Sequence, residues 1–199
     1  MGKIFCLMGK SSSGKDTLYK ALLKDSRLSL QKIIPYTTRP IRAGERAGED
    51  YHFYTEQQLA ELEEQGKIIE LRAYDTVHGI WHYFTADDGQ IDLNRHNYLY
   101  IATLEAYEKM QDYFGREHLI PLYLYTDDGL RLSRALKREK RQKEPKYAEM
   151  CRRYLADEED FSEEKLLAAG IRKRFENTDR DCVIEELTGY ITGTASQTL

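Results

Sequence analysis

At 199 residues, 41% hydrophobic and 32% charged, the chain fits one compact domain, or a core carrying small inserted lobes, that buries roughly 70% of its unfolded surface. Cys6, Cys151 and Cys182 are odd in number, far apart and without metal-ligand spacing, which argues against a disulfide framework or a zinc site and points to a reducing cytoplasm. The net charge of −4 is uneven: residues 131–153 hold ten Lys/Arg against three Glu, so this stretch is +7 and the remainder −11, and an anionic ligand is expected near it. The apolar run IFCLM near the N-terminus is too short for a signal-peptide core or a membrane span.

In chain order, KIFCLM, QKIIPY, YHFY, IIELRAY, IWHYF, NYLYIAT and LIPLYLY have strand length and strand composition. Helical patterns separate them: DTLYKALLK, TEQQLAELEEQ, TLEAYEKMQDYF, DDGLRLSRALKREKR, YAEMCRRYLADEEDF and DCVIEELTGYI. Thr55 and Gln58, three apart, predict a capping box at the start of the second helix. Alternation of this kind predicts an α/β fold with a largely parallel inner sheet. Three strand-like runs crowd between Tyr51 and Thr85, predicting a small β-rich lobe inserted into the parent fold. The closing TGTASQTL is expected to fray.

GKSSSGKDT, residues 9–17, follows the first strand directly and opens the first helix. A glycine, four residues and Gly-Lys in that context form a phosphate-binding loop, in which backbone N–H groups and the helix N-terminus face phosphate oxygens and Lys15 reaches the transferable phosphates. Gly9, Lys10, Ser11, Ser12, Ser13, Gly14, Lys15, Asp16 and Thr17 are therefore candidate ATP contacts. The serines fill turn geometry. Asp16 stands where this loop usually carries a hydroxyl that helps hold Mg²⁺. Thr17 offers one a residue later, as in the similar loop of adenylate kinases, so Thr17 and Asp16 are the candidate metal ligands.

Residues 36–54, YTTRPIRAGERAGEDYHFY, place Arg39 and Arg42 in a Pro/Gly-rich loop before Tyr51, and guanidinium forks clamp phosphate oxygens two at a time. This segment resembles the guanylate kinase family pattern S-x-x-T-R-x-x-R-x-G-E-x-x-G-x-D-Y-x-F, with Gly44, Glu45, Gly48 and Asp50 also matching. The resemblance runs over residues 1 to about 190. It implies a P-loop NTPase-type parallel sheet flanked by helices (residues 1–34, 86–130 and 161–190), an acceptor-binding lobe (35–85), a helical lid (131–160) and a polar tail (191–199). It further implies ATP as donor with Mg²⁺, and GMP as acceptor. Arg39, Arg42, Tyr51 and Tyr83 would hold the acceptor phosphate; Glu70 and Thr85 would meet the base; Arg134, Arg138 and Arg153 would reach the moving phosphoryl group; Asn177 would lie near the donor adenine. Lys15, Arg39 and the lid arginines are the expected catalytic set. Neither a nucleic acid nor a membrane partner is expected, and the chain would be a monomer or a homodimer.

The chain departs from the family pattern at several places. Pro35 replaces a serine, Phe84 a glycine, and Ile101 and Thr103 two aspartates, one of which shares guanine recognition; Thr103 stays a candidate acceptor contact, with Asp75 or Asp16 as possible compensation. Three readings follow: a nucleoside monophosphate kinase acting on GMP, a kinase of the same fold acting on another phosphorylated acceptor such as ribose 1,5-bisphosphate, and a catalytically silent binding module. The intact Gly14-Lys15 pair speaks against the third.

Overall fold

The computed structural model describes residues 1–76 and 79–196. Its centre is β1 (Ile4–Met8), every residue of which is buried. Successive side chains of a strand point to opposite faces, so β1 feeds two cores. Ile4, Cys6 and Met8 pack with Tyr100, Tyr107, Met110 and Phe161, while Phe5 and Leu7 pack with Leu18, Leu22, Leu122, Phe175 and Leu187. A strand covered on both sides reads as a continuous apolar run, which is why IFCLM is one.

Four further strands complete an all-parallel sheet of order β2-β7-β1-β8-β9: β2 (Leu30–Lys32), β7 (Asn97–Ile101), β8 (Leu119–Tyr125) and β9 (Arg174–Glu176). Helix α1 (Lys15–Lys24) and α7 (Arg180–Ser196) supply one covering layer, and α3 (Leu104–Phe114) with α6 (Glu163–Ala168) the other. The loop after β1 therefore sits beyond the carboxyl ends of the parallel strands, where open α/β sheets bind ligands.

The inserted lobe is a second sheet of order β4-β3-β6-β5, made from β3 (Tyr36–Thr37), β4 (His52–Phe53), β5 (Ile68–Thr76) and β6 (Gly79–Ala86). Helix α2 (Glu56–Glu64) closes it, and its Thr55–Gln58 capping box is present. Phe84, in the place of a family glycine, is fully buried and stacks on Tyr36 at 5.0 Å. Together with Leu59 and Ala86 it forms the lobe's own core.

Helices α4 (Asp128–Glu139) and α5 (Tyr147–Asp160) carry the basic stretch. Glu139 is buried in the turn between them, accepting from the Lys146 backbone N–H at 2.7 Å and from Gln142 at 2.9 Å. The structure differs from sequence expectation in three details. QKIIPY is not one strand: it divides into β2 and β3, in different sheets, with Pro35 between them. The structure adds two short elements, α6 and β9, that are absent from the sequence pattern above. The polar tail does not begin at residue 191, because Ile191 is buried against the sheet and α7 continues through Ser196; residues 197–199 lie outside the described residues.

Candidate active site

The loop after β1 owes its shape to two glycines. Gly9, at φ 149°, lies so close to β8 that a Cβ would stand 2.5 Å from the Leu124 carbonyl oxygen. Gly14 caps α1 in the left-handed region at φ 98°, and a Cβ there would meet the Asn177 amide at 2.6 Å. That amide donates to the Ser13 carbonyl at 2.7 Å, and Thr126 donates to the same oxygen at 3.2 Å. Asn177 thus braces the loop from just beyond β9, a contact different in kind from the adenine contact the resemblance implies.

The loop is arranged for an anion. Helix α1 has no side-chain cap, which leaves its N-terminal N–H groups facing outward with their partial positive charge. The hydroxyls of Ser12 and Ser13 are buried without a hydrogen-bond partner among the described residues, and a buried polar atom left unpaired is costly unless a ligand completes it. Ser12 also holds a positive φ of 62°, local strain of the kind concentrated at ligand sites. Lys15 turns its ammonium onto the loop's own carbonyls, Gly9 and, at 3.0 Å, Lys10. Burial lowers its pKa, opposed by the charges of Asp157 and Asp16.

Arg134, Arg138 and Arg153 line one cavity of about 350 Å³ together with Ser11, Ser12, Gly14, Lys15, Asp16 and Thr17. The first two project from α4 and the third from α5, so the helix pair brings the arginines to the loop. Arg153 is also paired with Glu149 at 2.8 Å; Arg152, with Arg153 behind it, holds the Glu149 carboxyl down at about 2.

Sequence reasoning missed the acids on α5. The Asp157 carboxylate accepts the Ser11 backbone N–H at 2.7 Å, and Glu158 pairs with Lys10. Arg131, the first residue of the basic stretch, is 1% exposed. Its guanidinium donates to Asp128 at 2.6 Å, Glu158 at 2.8 Å, Asp157 at 3.3 Å and the Ser11 carbonyl at 3.1 Å, with the Tyr154 ring beneath it at 4.8 Å.

On the lobe side, Arg39 is buried and forked onto Glu45 at 2.6 and 2.7 Å, and its Nε donates to the Tyr83 hydroxyl at 3.1 Å. Its guanidinium also lies over the Tyr51 ring at 4.9 Å. Glu45 accepts the Arg42 backbone N–H at 2.9 Å, while the exposed Arg42 guanidinium lies 6.0 Å from the Trp81 ring. A cleft of about 420 Å³, lined in part by Tyr51, Glu45, Pro35, Tyr100 and Ile101, separates the lobe from α1. Two departures from the family pattern, Pro35 and Ile101, thus give it apolar walls. Asp16 lines both this cleft and the arginine cavity, so the two meet at the first turn of α1.

Glu70 is not an open carboxylate. Its side chain is 0% exposed and accepts from Arg72 Nε at 2.8 Å, Arg72 Nη2 at 3.1 Å, Thr85 Oγ1 at 2.9 Å and Tyr100 OH at 3.3 Å. Arg72 reaches on to Thr103 Oγ1 at 3.3 Å, and Thr103 caps α3 by accepting the Ala106 N–H. Asp75 is exposed near the outer end of the β5–β6 hairpin, five residues along β5 from Glu70, about 17 Å at strand spacing, so it gives Glu70 no second carboxylate.

For Mg²⁺ the chain offers Asp16 and Thr17, both exposed on the cavity wall. Among the described residues no group of three or more His, Cys, Asp or Glu could hold a metal ion. One carboxylate and one hydroxyl fit an ion that keeps several waters and takes its remaining oxygens from substrate phosphates.

A sequence model of the guanylate kinase family matches residues 1–81. The chain is 44% identical over 64 residues to a guanylate kinase of Schizosaccharomyces pombe, covering 32% of each chain. It is 28% identical over 137 residues to the guanylate kinase of Anaplasma phagocytophilum, covering 68% of this chain and 63% of that one. The first relatives are therefore matched over about a third of their length. The crystal structure of the A. phagocytophilum guanylate kinase superposes on 98% of this chain and 86% of its own, with a TM-score of 0.67 and 20% identity, a likeness of fold. The N-terminal 81 residues thus resemble the guanylate kinase family in sequence, and the whole chain resembles a guanylate kinase in fold.

Proposed function

We propose that the chain transfers the γ-phosphoryl group of ATP to the phosphate of a nucleoside monophosphate, with GMP as the leading acceptor. The observation that carries this reading is that Asp16 lines two cavities: one holds the phosphate loop and three arginines, the other is lined by Tyr51 and Glu45, the two residues against which Arg39 packs. An anion-binding loop alone serves many purposes. A second cluster of phosphate-binding side chains beside it suits transfer.

In this reading the donor phosphates lie against the N–H groups from Gly9 to Thr17, complete the Ser12 and Ser13 hydroxyls and draw Lys15 off its loop carbonyls. Arg39, Arg42, Tyr51 and Tyr83 hold the acceptor phosphate. One of its oxygens forms the new bond to the γ-phosphorus as the bridging oxygen leaves on ADP with the electron pair of the broken bond. No general base is required, because a phosphate monoester is already ionised at neutral pH. Arg134, Arg138 and Arg153 spread the charge of the moving group, a term that usually dominates such reactions. When bound, Mg²⁺ supplies charge neutralisation on the β and γ oxygens. We assign residues 131–160 as a lid that closes with the lobe to exclude water.

One observation favours a second reading. The donors filling Glu70 leave a non-guanine phosphorylated acceptor, such as ribose 1,5-bisphosphate, compatible with the same phosphate clamp. A coupled ATP-consumption assay over GMP, dGMP, IMP, AMP, CMP, UMP and ribose 1,5-bisphosphate tests both. Turnover of GMP above the other nucleotides supports the first; preference for the sugar phosphate replaces it with the second. Phosphorylation of none of them sinks the kinase reading.

A further inference from the structure

A carboxylate has about four lone-pair positions, and the Glu70 carboxylate already receives four donor contacts in a side chain with no exposure. Arg72 supplies two of them in a planar fork, with the charge locked on: burial opposes it, but Tyr100 and Glu70 outweigh burial and raise its pKa. To accept the ring N–H and exocyclic amine of a guanine, Glu70 must first release that fork and leave a buried cation unpaired, which is among the costlier changes a protein interior can make. The N–H groups of Arg72 are less fully used: Nε and one N–H of Nη2 go to Glu70, and one N–H of Nη1 goes to Thr103. Each Nη therefore has a second hydrogen outside these contacts.

The Arg72 charge also faces the acceptor clamp. Arg72 is the cross-strand partner of Tyr83, whose hydroxyl receives the Arg39 Nε–H at 3.1 Å, and Tyr100, which donates to Glu70, lines the cleft between the lobe and α1. The ion pair thus borders the acceptor site as a donor surface, although it contains a carboxylate.

We propose that Arg72 is a specificity-determining residue: by closing Glu70 and presenting its own N–H groups, it reads a carbonyl on the acceptor and leaves a 2-amino group unread. The acceptor class is then 6-oxopurine monophosphates in general. This rests on the nucleoside monophosphate kinase reading and narrows its substrate.

GMP and IMP differ only in the 2-amine, so the ratio of their kcat/KM values is the readout, and general damage to the fold does not move it. For the wild-type chain we expect a ratio within about threefold of unity. Arg72→Ala opens Glu70 and should raise the ratio roughly tenfold to a hundredfold, the worth of a hydrogen bond to a charged group. Should Arg72→Ala fail to fold, Arg72→Lys keeps the charge and removes the fork, and the ratio must still rise. A wild-type ratio above about thirty, or a folded Arg72 variant with an unchanged ratio, overturns the inference. Calorimetric dissociation constants for GMP and IMP give the same ratio independently of turnover. Binding in the expected ratio without phosphorylation would sink the kinase reading alone, while failure of both nucleotides to bind would overturn the inference.

Discussion

The Asp157 carboxylate accepts the Ser11 backbone N–H at 2.7 Å, although 146 residues separate them. An acid therefore holds a donor of the loop to which we assign phosphate binding, and its charge acts directly on Lys15. Nucleotide entry places like charge beside Asp157. Asp157→Asn keeps an acceptor for Ser11 and removes the repulsion, so ATP should bind more tightly, by about 1 kcal/mol for a partly solvated charge pair. Titration calorimetry measures this. Weaker binding would instead make Asp157 a brace that the loop needs.

Lys15→Ala should lower phosphoryl transfer by roughly 10² to 10³ or more, the scale of losing a charge-stabilising donor at the reacting group. The thermal midpoint should scarcely change, because the ammonium contacts only loop carbonyls. Retained turnover in a folded variant would remove the loop from the chemistry.

Asp16 and Thr17 separate on magnesium. If the hydroxyl is the working ligand, Thr17→Val raises the Mg²⁺ concentration needed for half-maximal rate, while Asp16→Ser keeps or improves activity. The reverse order would make the carboxylate the ligand. A Mg²⁺ titration of initial rates at fixed ATP decides between them.

Arg39→Lys keeps the charge beside Glu45 but cannot form the fork seen at 2.6 and 2.7 Å. Acceptor binding should weaken by roughly 2 to 5 kcal/mol, with ATP affinity unchanged. Parallel losses for both substrates would show that Arg39 does not belong to the acceptor side alone.

A pH effect is expected away from the site. The fork from Arg27 holds the Asp25 carboxyl at about 2, below its ordinary 3.8, and Arg27 also bridges to Glu185 on α7. A carboxylate depressed on folding stabilises the protein above its unfolded pKa, and this stability is lost as pH falls through the folded value. Urea midpoints should therefore fall between about pH 4 and pH 2 more steeply in wild type than in Asp25→Asn. Equal slopes would mean that the fork does not persist in solution.

Much of the fold is written locally. IFCLM is apolar throughout because both faces of β1 are covered, Thr55 and Gln58 carry their capping box, and the glycines at 9 and 14 announce a loop whose backbone leaves no room for a Cβ. Such signals depend on neighbours a few residues apart, and they survive in a linear reading. Glu70 and Arg72 also carry a legible sign, since residues two apart on a strand share a face.

The order of elements, the glycine-rich loop after the first strand and the two arginine-bearing segments are legible in the sequence, since local propensity, periodicity and spacing suffice for these. How those charges are paired emerges only in the folded chain. Arg131 is buried among three acids rather than solvated, Asp157 and Glu158 are brought from α5 onto the loop, and Glu70 is filled by Arg72, Thr85 and Tyr100. The free energy of a charge is set by the partners and the solvent around it, and those partners lie up to 148 positions away along the chain, where no local pattern reaches.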